Sequence, residues 1–177
     1  MEIALKDLLL QQKRCFVGDS DYLVYGLKEA ILKAKSIDIN VAFLMESGVW
    51  LLQPELKEAA ANNILIRILT GNYLNITQPQ ALYLLKDTLG DNVDLRFYNI
   101  SNKSFHPKAY IFEYEYDGDI FIGSSNISKS ALTHGIEWNY RILKSESPQD
   151  FKLFKDKFED LFFYYSTIVD EMELKRY

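Results

Sequence analysis

The sequence predicts an α/β domain built on a mixed β-sheet with helices on both faces. In the first half, short apolar runs alternate with segments of helical spacing, which is typical of parallel strands joined by helical crossovers. The apolar runs cover residues 37–44, 63–71 and 92–100, and the helical segments cover residues 22–35, 48–63 and 78–90. In the second half, two apolar runs flank Asp117-Gly118, a dipeptide typical of a hairpin between antiparallel strands.

The carboxyl-terminal third continues the alternation of helix and strand. A short helix is predicted within residues 124–135, where serine or asparagine caps the start and a glycine marks the end. A strand is predicted at 136–143. Ser147 and Pro148 then open the segment 147–174, whose apolar spacing predicts one long packing helix.

Length and composition limit the class of protein. The chain has 177 residues, 48% of them hydrophobic, which suits one packed domain spanning residues 1–177. No apolar run reaches the roughly 20 residues that cross a bilayer, and the first residues lack the features of a secretion signal, so a cytoplasmic protein is expected. The net charge of −5 argues against a protein that coats nucleic acid without selectivity.

Cysteine and histidine are too few for several kinds of site. Cys15 is the only cysteine, and the chain contains two histidines. An internal disulfide is therefore excluded, and no cluster of metal ligands is recognisable. We expect chemistry that uses neither a metal nor a cofactor.

Three short fragments carry residues that suit a reaction at phosphate: His106-Pro107-Lys108, Gly123-Ser124-Ser125-Asn126 and Glu137-Trp138-Asn139. Along an extended strand, His106 and Lys108 point to the same face because side chains alternate. Attack on a phosphate diester needs a nucleophile, cations that stabilise the developing charge, and an acid for the leaving group. Histidine can supply the nucleophile or the acid, and lysine can supply the cation.

The other two fragments add groups that bind phosphate or orient a histidine. The second fragment, residues 123–126, is called the glycine turn here. Its glycine lets the backbone approach an anion closely, and Ser124 and Asn126 add donors. A carboxylate such as Glu137 fixes the tautomer of a histidine when it hydrogen-bonds the ring. Taken singly, these fragments are more often a solvated pair, a helix cap and a surface charge. Their combination indicates a phosphodiesterase site.

This combination resembles the phospholipase D superfamily, in which His-x-Lys is followed by Gly-Ser-x-Asn and, eleven residues after that Asn, by Glu. The same spacing separates Asn126 from Glu137. The resemblance extends to the nuclease branch and to the phospholipase-D-like domains at the amino termini of certain bacterial helicases and in some restriction endonucleases. It covers roughly residues 35–145, and the stretches that carry it are 70–82, 105–112 and 122–142.

The resemblance implies a phospholipase D/nuclease-like fold and a two-step displacement. One histidine attacks phosphorus to form a phosphohistidine, a second protonates the leaving oxygen, and water completes hydrolysis. Because this chain holds one copy of the motif, the resemblance implies a C2 homodimer with one shared site. His106 is then the nucleophile in one subunit and the acid in the other, and Glu137 orients it. Lys108 and Asn126 bind phosphate oxygens with help from Ser124.

Four further residues are expected to contact substrate: Thr70, Gly71, Tyr73 and Ser125. The first three belong to a turn at the sheet edge where ligands gather in α/β proteins, and the fourth belongs to the glycine turn. Glu113 stands where the superfamily has an aspartate. Its strand parity places it opposite His106, so a structural role is expected.

Three functions stay open at this stage. The leading one is a DNA endonuclease, acting alone or as one module of a helicase or restriction protein. The second is a phospholipase or phosphatidyltransferase, although no membrane-facing amphipathic stretch is recognisable. The third is a non-catalytic DNA-binding module attached to a helicase.

Overall fold

The computed structural model describes residues 13–71 and 76–177. Within them, eight strands and six α-helices follow one another along the chain. The strands are β1 (Cys15–Phe16), β2 (Ser36–Val41), β3 (Ile66–Thr70), β4 (Val93–Tyr98), β5 (Lys108–Glu113), β6 (Gly118–Gly123), β7 (Asn139–Leu143) and β8 (Ser166–Ile168). The helices are α1 (Leu23–Lys33), α2 (Glu46–Ala61), α3 (Pro79–Leu89), α4 (Lys129–Thr133), α5 (Pro148–Tyr164) and α6 (Glu171–Arg176).

All eight strands form one mixed sheet in the order β1-β7-β6-β5-β2-β3-β4-β8. Strands β2, β3 and β4 run parallel and are joined by α2 and α3. Strands β5, β6 and β7 pair antiparallel with one another, and β5 also pairs antiparallel with β2. The sequence alternation in the first half and the hairpin in the second are both present, so the predicted mixed α/β fold is confirmed.

Helices cover both faces of the sheet. One core contains Tyr110 of β5 and receives apolar side chains from α1, α2, α3 and α4. The other core contains Ile111 of β5 and receives Phe151 and Phe158 from α5. Because Tyr110 and Ile111 are adjacent in a strand, they point to opposite faces. The predicted placement of helices on both faces is therefore also confirmed.

The carboxyl-terminal segment differs from the single long helix predicted for residues 147–174. Helix α5 ends at Tyr164, and β8 then pairs antiparallel with β4 before α6 begins. Without β8, strand β4 would end the sheet with a row of unpaired amide groups. The β-branched Thr167 and Ile168 also suit a strand. The prediction was wrong here because helical spacing carries no information about an open strand edge elsewhere in the fold.

The short helix predicted within residues 124–135 is confined to α4. Its cap is Ser128, whose hydroxyl oxygen accepts a hydrogen bond from the Ala131 amide at 3.2 Å. The preceding residues form a turn that lies against the start of β7, where the Ser124 amide donates to the carbonyl oxygen of Trp138 at 3.1 Å. The glycine turn is therefore free of the helix and belongs to the sheet edge.

A buried ion-pair network attaches α5 to the sheet. Asp38 of β2 is 1% exposed, and its carboxylate accepts hydrogen bonds from Arg67 at 2.6 and 2.9 Å and from Lys155 at 2.5 Å. Burial alone would lower the pKa of Arg67, but Asp38 and Glu159 outweigh burial and raise it. The charges compensate one another inside the interface, and this fixes α5 on its face of the sheet.

Helix α2 touches the loop between β6 and α4 so closely that no side chain fits at Gly48. A Cβ atom there would lie 2.4 Å from the carbonyl carbon of Ile127 and 2.5 Å from the amide nitrogen of Ser128. The amide of Met45 also donates to the carbonyl oxygen of Ile127 at 2.8 Å. Because Asn126 directly precedes these contacts, the packing of α2 fixes the end of the glycine turn.

Replacing Gly48 with alanine is expected to destabilise the domain by roughly 3 kcal/mol, the upper end for overpacking, because the added methyl group meets backbone that cannot rotate away. Chemical denaturation measures the change. Lys57→Ala, at an exposed position of the same helix, is the control and should shift the free energy of unfolding by less than about 0.5 kcal/mol. A Gly48→Ala protein as stable as the control would contradict the close contact.

Candidate active site

The three fragments singled out in the sequence meet at one edge of the sheet. Lys108 begins β5, Gly123 ends β6 and Asn139 begins β7. The antiparallel pairing of β5 with β6 and of β6 with β7 places these strand ends side by side. His106 and Glu137 each stand two residues before their strands, so both lie beyond the same edge.

Lys108 is in direct contact with His106. Its ammonium nitrogen lies 2.6 Å from Nδ1, 3.1 Å from Nε2 and 2.9 Å from the carbonyl oxygen of His106. The two side chains therefore lie together, as strand alternation predicts. An imidazole attacks as a nucleophile through a ring nitrogen that carries no proton. His106 is exposed while Lys108 is 6% exposed, so a substrate can reach the ring.

The charge of Lys108 is held where little water reaches it. Burial lowers the pKa of Lys108, and the negative charge of Glu137 acts in the opposite direction. Burial and then the charge of Glu137 also raise the pKa of the neighbouring Tyr110. Charges interact more strongly in a less polar environment, so the position of Lys108 suits the binding of a phosphate oxygen.

Glu137 is hydrogen-bonded to Ser124. The Ser124 hydroxyl donates to Oε2 of Glu137, and the same Ser124 oxygen accepts from the Trp138 amide at 3.0 Å. Within the described residues of one chain, no hydrogen bond joins Glu137 to His106. In a single chain, Glu137 therefore positions Ser124, and the expected orientation of His106 by Glu137 is not made.

Gly123 permits this contact because it has no side chain. A Cβ atom at Gly123 would lie 2.1 Å from the carbonyl oxygen of Trp138 and 2.6 Å from Oδ1 of Asn139. Any other residue would force the ends of β6 and β7 apart. The glycine is therefore required for the approach that brings Ser124 against Glu137.

Asn126 lies at a polar pocket on the site. Its Oδ1 accepts a hydrogen bond from the Phe43 amide at 3.1 Å, and the residue is 6% exposed. Asn126 and Glu137, together with residues at the start of α2, line a pocket of about 570 Å³. Because the backbone occupies Oδ1, the side-chain NH₂ group is the part of Asn126 that can donate to an anion.

Ser125 has a structural place rather than the expected contact with substrate. It is fully buried, and its hydroxyl is bonded to Nδ2 of Asn139 at 2.9 Å and to a carbonyl group of α4 at 3.3 Å. The hydroxyl of Tyr110 donates to the carbonyl oxygen of Ser125 at 2.9 Å. Sequence reasoning gave no role to Tyr110 or Asn139. For Tyr110 a signal was available in the sequence, since it follows Lys108 by two residues and shares its face.

The turn after β3 contributes less surface than expected. Thr70 is fully buried, and its hydroxyl oxygen lies 3.4 Å from that of Thr77, so within one chain Thr70 presents no surface to a substrate. Gly71 is buried but lines a groove of about 520 Å³ with the loop 98–105. Tyr73 lies outside the described residues.

Glu113 stands at the opposite end of β5 from His106. Its carboxylate pairs with Lys155 at 3.0 Å and with Lys144 at 3.4 Å. Burial alone would raise the pKa of Glu113, but the two lysines outweigh burial and lower it. The residue links α5 to the sheet, in agreement with the structural role expected for it.

Comparison with protein families identifies the fold. The family model described as "Cardiolipin synthase, PLD-like domain" matches residues 27–162, a range that contains His106, Lys108, Ser124, Asn126 and Glu137. The chain belongs to the phospholipase D superfamily. A search of curated proteins finds no match to the sequence.

Solved structures share this phospholipase D fold. NucT from Helicobacter pylori is 18% identical with a TM-score of 0.59, and the alignment covers 78% of this chain and 86% of NucT. The phospholipase D family member Nuc from Salmonella typhimurium is also 18% identical with a TM-score of 0.59, covering 80% of this chain and 87% of Nuc. The phosphatidylserine synthase of Haemophilus influenzae is 16% identical with a TM-score of 0.60, covering 86% of this chain and 38% of the synthase. At these identities, the likeness is one of fold.

The site of this phospholipase D domain brings together an imidazole, a partly desolvated ammonium, an amide and a serine–carboxylate pair. Such a set can bind a phosphate diester and present a nucleophile to it. In residues 13–71 and 76–177, no group of three or more His, Cys, Asp or Glu side chains is placed to hold a metal ion. The same residues include no helix with the length and apolarity to cross a membrane.

Replacing Lys108 with methionine is expected to increase the free energy of unfolding at neutral pH, because the native chain keeps a charge where burial lowers its pKa. The unfolded chain binds that proton more readily than the folded one. The destabilisation by Lys108 is therefore fully present below its lowered pKa and disappears as the pH rises towards the ordinary value of 10.5.

Urea denaturation at a series of pH values measures this gain, which should shrink between neutral pH and pH 10.5. Lys57→Met, which replaces an exposed lysine of α2, is the matched control and should show no such trend. A Lys108→Met protein that is less stable than the native one, or whose gain does not vary with pH, would contradict the desolvated charge.

Proposed function

We propose that the domain is a metal-independent phosphodiesterase that cleaves DNA through a phosphohistidine at His106, in a site shared by two copies of the chain. The observation that carries this proposal is the contact of the buried Lys108 ammonium with the exposed His106 ring. Asn126 and Glu137 line the adjoining polar pocket. A nucleophile thus stands beside a cation and near an amide donor, the groups that attack at phosphate requires.

In the first step, a neutral nitrogen of His106 attacks phosphorus. A P–N bond forms, and the P–O bond to the leaving group breaks. Negative charge that develops on the other phosphate oxygens is stabilised by Lys108 and by the NH₂ group of Asn126. The leaving oxygen takes a proton from the partner's His106, which begins as an imidazolium ion.

In the second step, water attacks the phosphorus of the phosphohistidine. The partner's His106 is now neutral and accepts a proton from the water. The P–N bond breaks, and His106 regains its neutral nitrogen. One diester and one water have become a monoester and an alcohol, and both histidines have returned to their starting protonation states.

A shared site is supported by the need for a second histidine and by the surface around the first. The only other histidine of the chain, His134, lies at the end of α4 with its Nδ1 3.0 Å from the Thr133 hydroxyl oxygen. Ile136 and Trp138, on either side of Glu137, are 81% and 73% exposed. Large exposed apolar side chains beside a site are typical of an interaction surface, and an isologous interface brings two His106 rings together.

DNA is proposed as the substrate because the motif segments resemble the nuclease branch. Coverage agrees with this, since the chain matches 86% of NucT and 87% of Nuc but only 38% of the phosphatidylserine synthase. The likeness to that synthase favours phosphatidyl transfer as the alternative, in which an alcohol replaces water in the second step. The resemblance to the amino-terminal domains of helicases supports the further proposal that the domain works with a helicase in the cytoplasm.

The domain is expected to cleave DNA in the presence of EDTA, and His106→Ala should lower kcat on the order of 10⁴-fold, because only binding groups remain when the nucleophile is removed. Gel assays on single- and double-stranded oligonucleotides measure this. His134→Ala is the matched control, since it removes the other histidine of the chain and should leave activity within about twofold.

Cleavage that requires Mg²⁺, or that survives His106→Ala, would contradict the proposed mechanism. Turnover of phosphatidylglycerol vesicles without cleavage of DNA would support the phosphatidyl-transfer alternative instead.

A further inference from the structure

A second pocket reaches His106 on the face of the sheet that α5 covers. It has a volume of about 260 Å³, and its lining includes Asn40, Ala109, Ile122 and Phe154. His106 and two lysines, Lys108 and Lys157, also line it. The polar pocket at Asn126 and Glu137 has a different lining. The smaller pocket therefore extends the proposed site from His106 and Lys108 along the face of the sheet that α5 covers.

Asn40 is the unusual member of this lining. It lies on β2 directly opposite Ala109 of β5 and is 7% exposed. Its Oδ1 is buried and has no hydrogen-bond partner among the described residues. Asp38, two residues earlier on the same face, has its carboxylate paired with Arg67 and Lys155. A buried amide oxygen without a protein partner is a hydrogen-bond acceptor left open beside the pocket, and a ligand that supplies a donor would satisfy it.

We propose that this pocket binds the nucleobase next to the phosphate that His106 attacks, with Asn40 hydrogen-bonding the edge of the base. The inference rests on the proposed function, because it identifies part of the substrate at the same site. The amide of asparagine presents an acceptor and a donor side by side and matches N6 and N7 of adenine. Adenine is therefore the base expected to bind most tightly.

The shape and polarity of the pocket favour a base over an acyl chain. Phe154 and Ile122 supply apolar surface for the faces of a ring. The volume of about 260 Å³ lies below the roughly 300 Å³ at which pockets for drug-sized ligands begin, and so suits a single ring system. An alkyl chain in the same place would leave the oxygen of Asn40 without a donor.

Dinucleotides with and without a base at one position test the inference through activity. A deoxyadenosine dinucleotide should be hydrolysed with a kcat/KM at least about tenfold higher than its counterpart with a tetrahydrofuran abasic residue on the side of the pocket. Asn40→Leu should remove most of this advantage, measured within the same protein as the ratio of kcat/KM for the two compounds. Asn102→Leu is the matched control, since Asn102 is exposed in the loop that lines a different groove, and it should retain the full advantage.

Ala109→Val provides a second variant, because the added methyl groups narrow the pocket opposite Asn40. It should also reduce the preference for the base. The inference can therefore be tested even if the Asn40→Leu protein folds poorly. Full retention of the preference in both variants would overturn the inference, as would a native protein that hydrolyses both dinucleotides equally.

Binding gives a readout that does not depend on hydrolysis. In the His106→Ala protein labelled with ¹⁵N, deoxyadenosine monophosphate should shift the side-chain amide resonance of Asn40, whereas deoxyribose 5-phosphate should not. This result would hold even if the protein failed to cleave DNA, so failure of the proposed function and failure of the pocket are distinguishable. An equal response to the sugar phosphate, or a response only to a short-chain phospholipid, would overturn the inference.

Discussion

The close approach of β6 and β7 at Gly123 is the constraint on which the site depends. The carbonyl oxygen of Trp138 occupies the place of a side chain at Gly123. Only this approach lets Ser124 bond both Trp138 and Glu137. The carboxylate of Glu137 then lies close enough to act on the charge of Lys108. Because Gly123 has no Cβ atom, Ser124, Glu137 and Lys108 at three neighbouring strand ends belong to one site.

Buried charges are paired under α5 but not at the strand ends that form the site. On the face of α5, Asp38 is matched by Arg67 and Lys155, so the charges serve packing. At the sheet edge, Lys108 contacts a histidine ring and forms no ion pair within 4.0 Å among the described residues. A cation that is desolvated but not neutralised destabilises the fold and is available to an anion from outside. For this reason we assign anion binding to Lys108 and a structural role to the ion pairs of Asp38.

Sequence periodicity was sufficient for the fold class and for the placement of His106 and Lys108 on one face, because both follow from short-range alternation. It was insufficient where distant segments decide the outcome. Strand β8 pairs with β4, which would otherwise be the last strand of the sheet. Thr70 and Ser125 turn inward because Thr77 and Asn139 supply hydrogen-bond partners there. Asn40 was hidden for the same reason, since in sequence it belongs to an ordinary apolar strand. Which polar side chain lacks a partner is visible only when the strands are assembled.

The central claim is that two chains complete one site, each supplying His106. It is tested most directly with a purified mixed dimer, assembled from one native subunit and one His106→Ala subunit that carry different affinity tags. Because both steps of the reaction use both histidines, the mixed dimer is predicted to have almost no activity, while a mixed dimer of native and His134→Ala subunits remains fully active. A mixed His106→Ala dimer that retains about half of the native activity would show two independent sites and contradict a shared one.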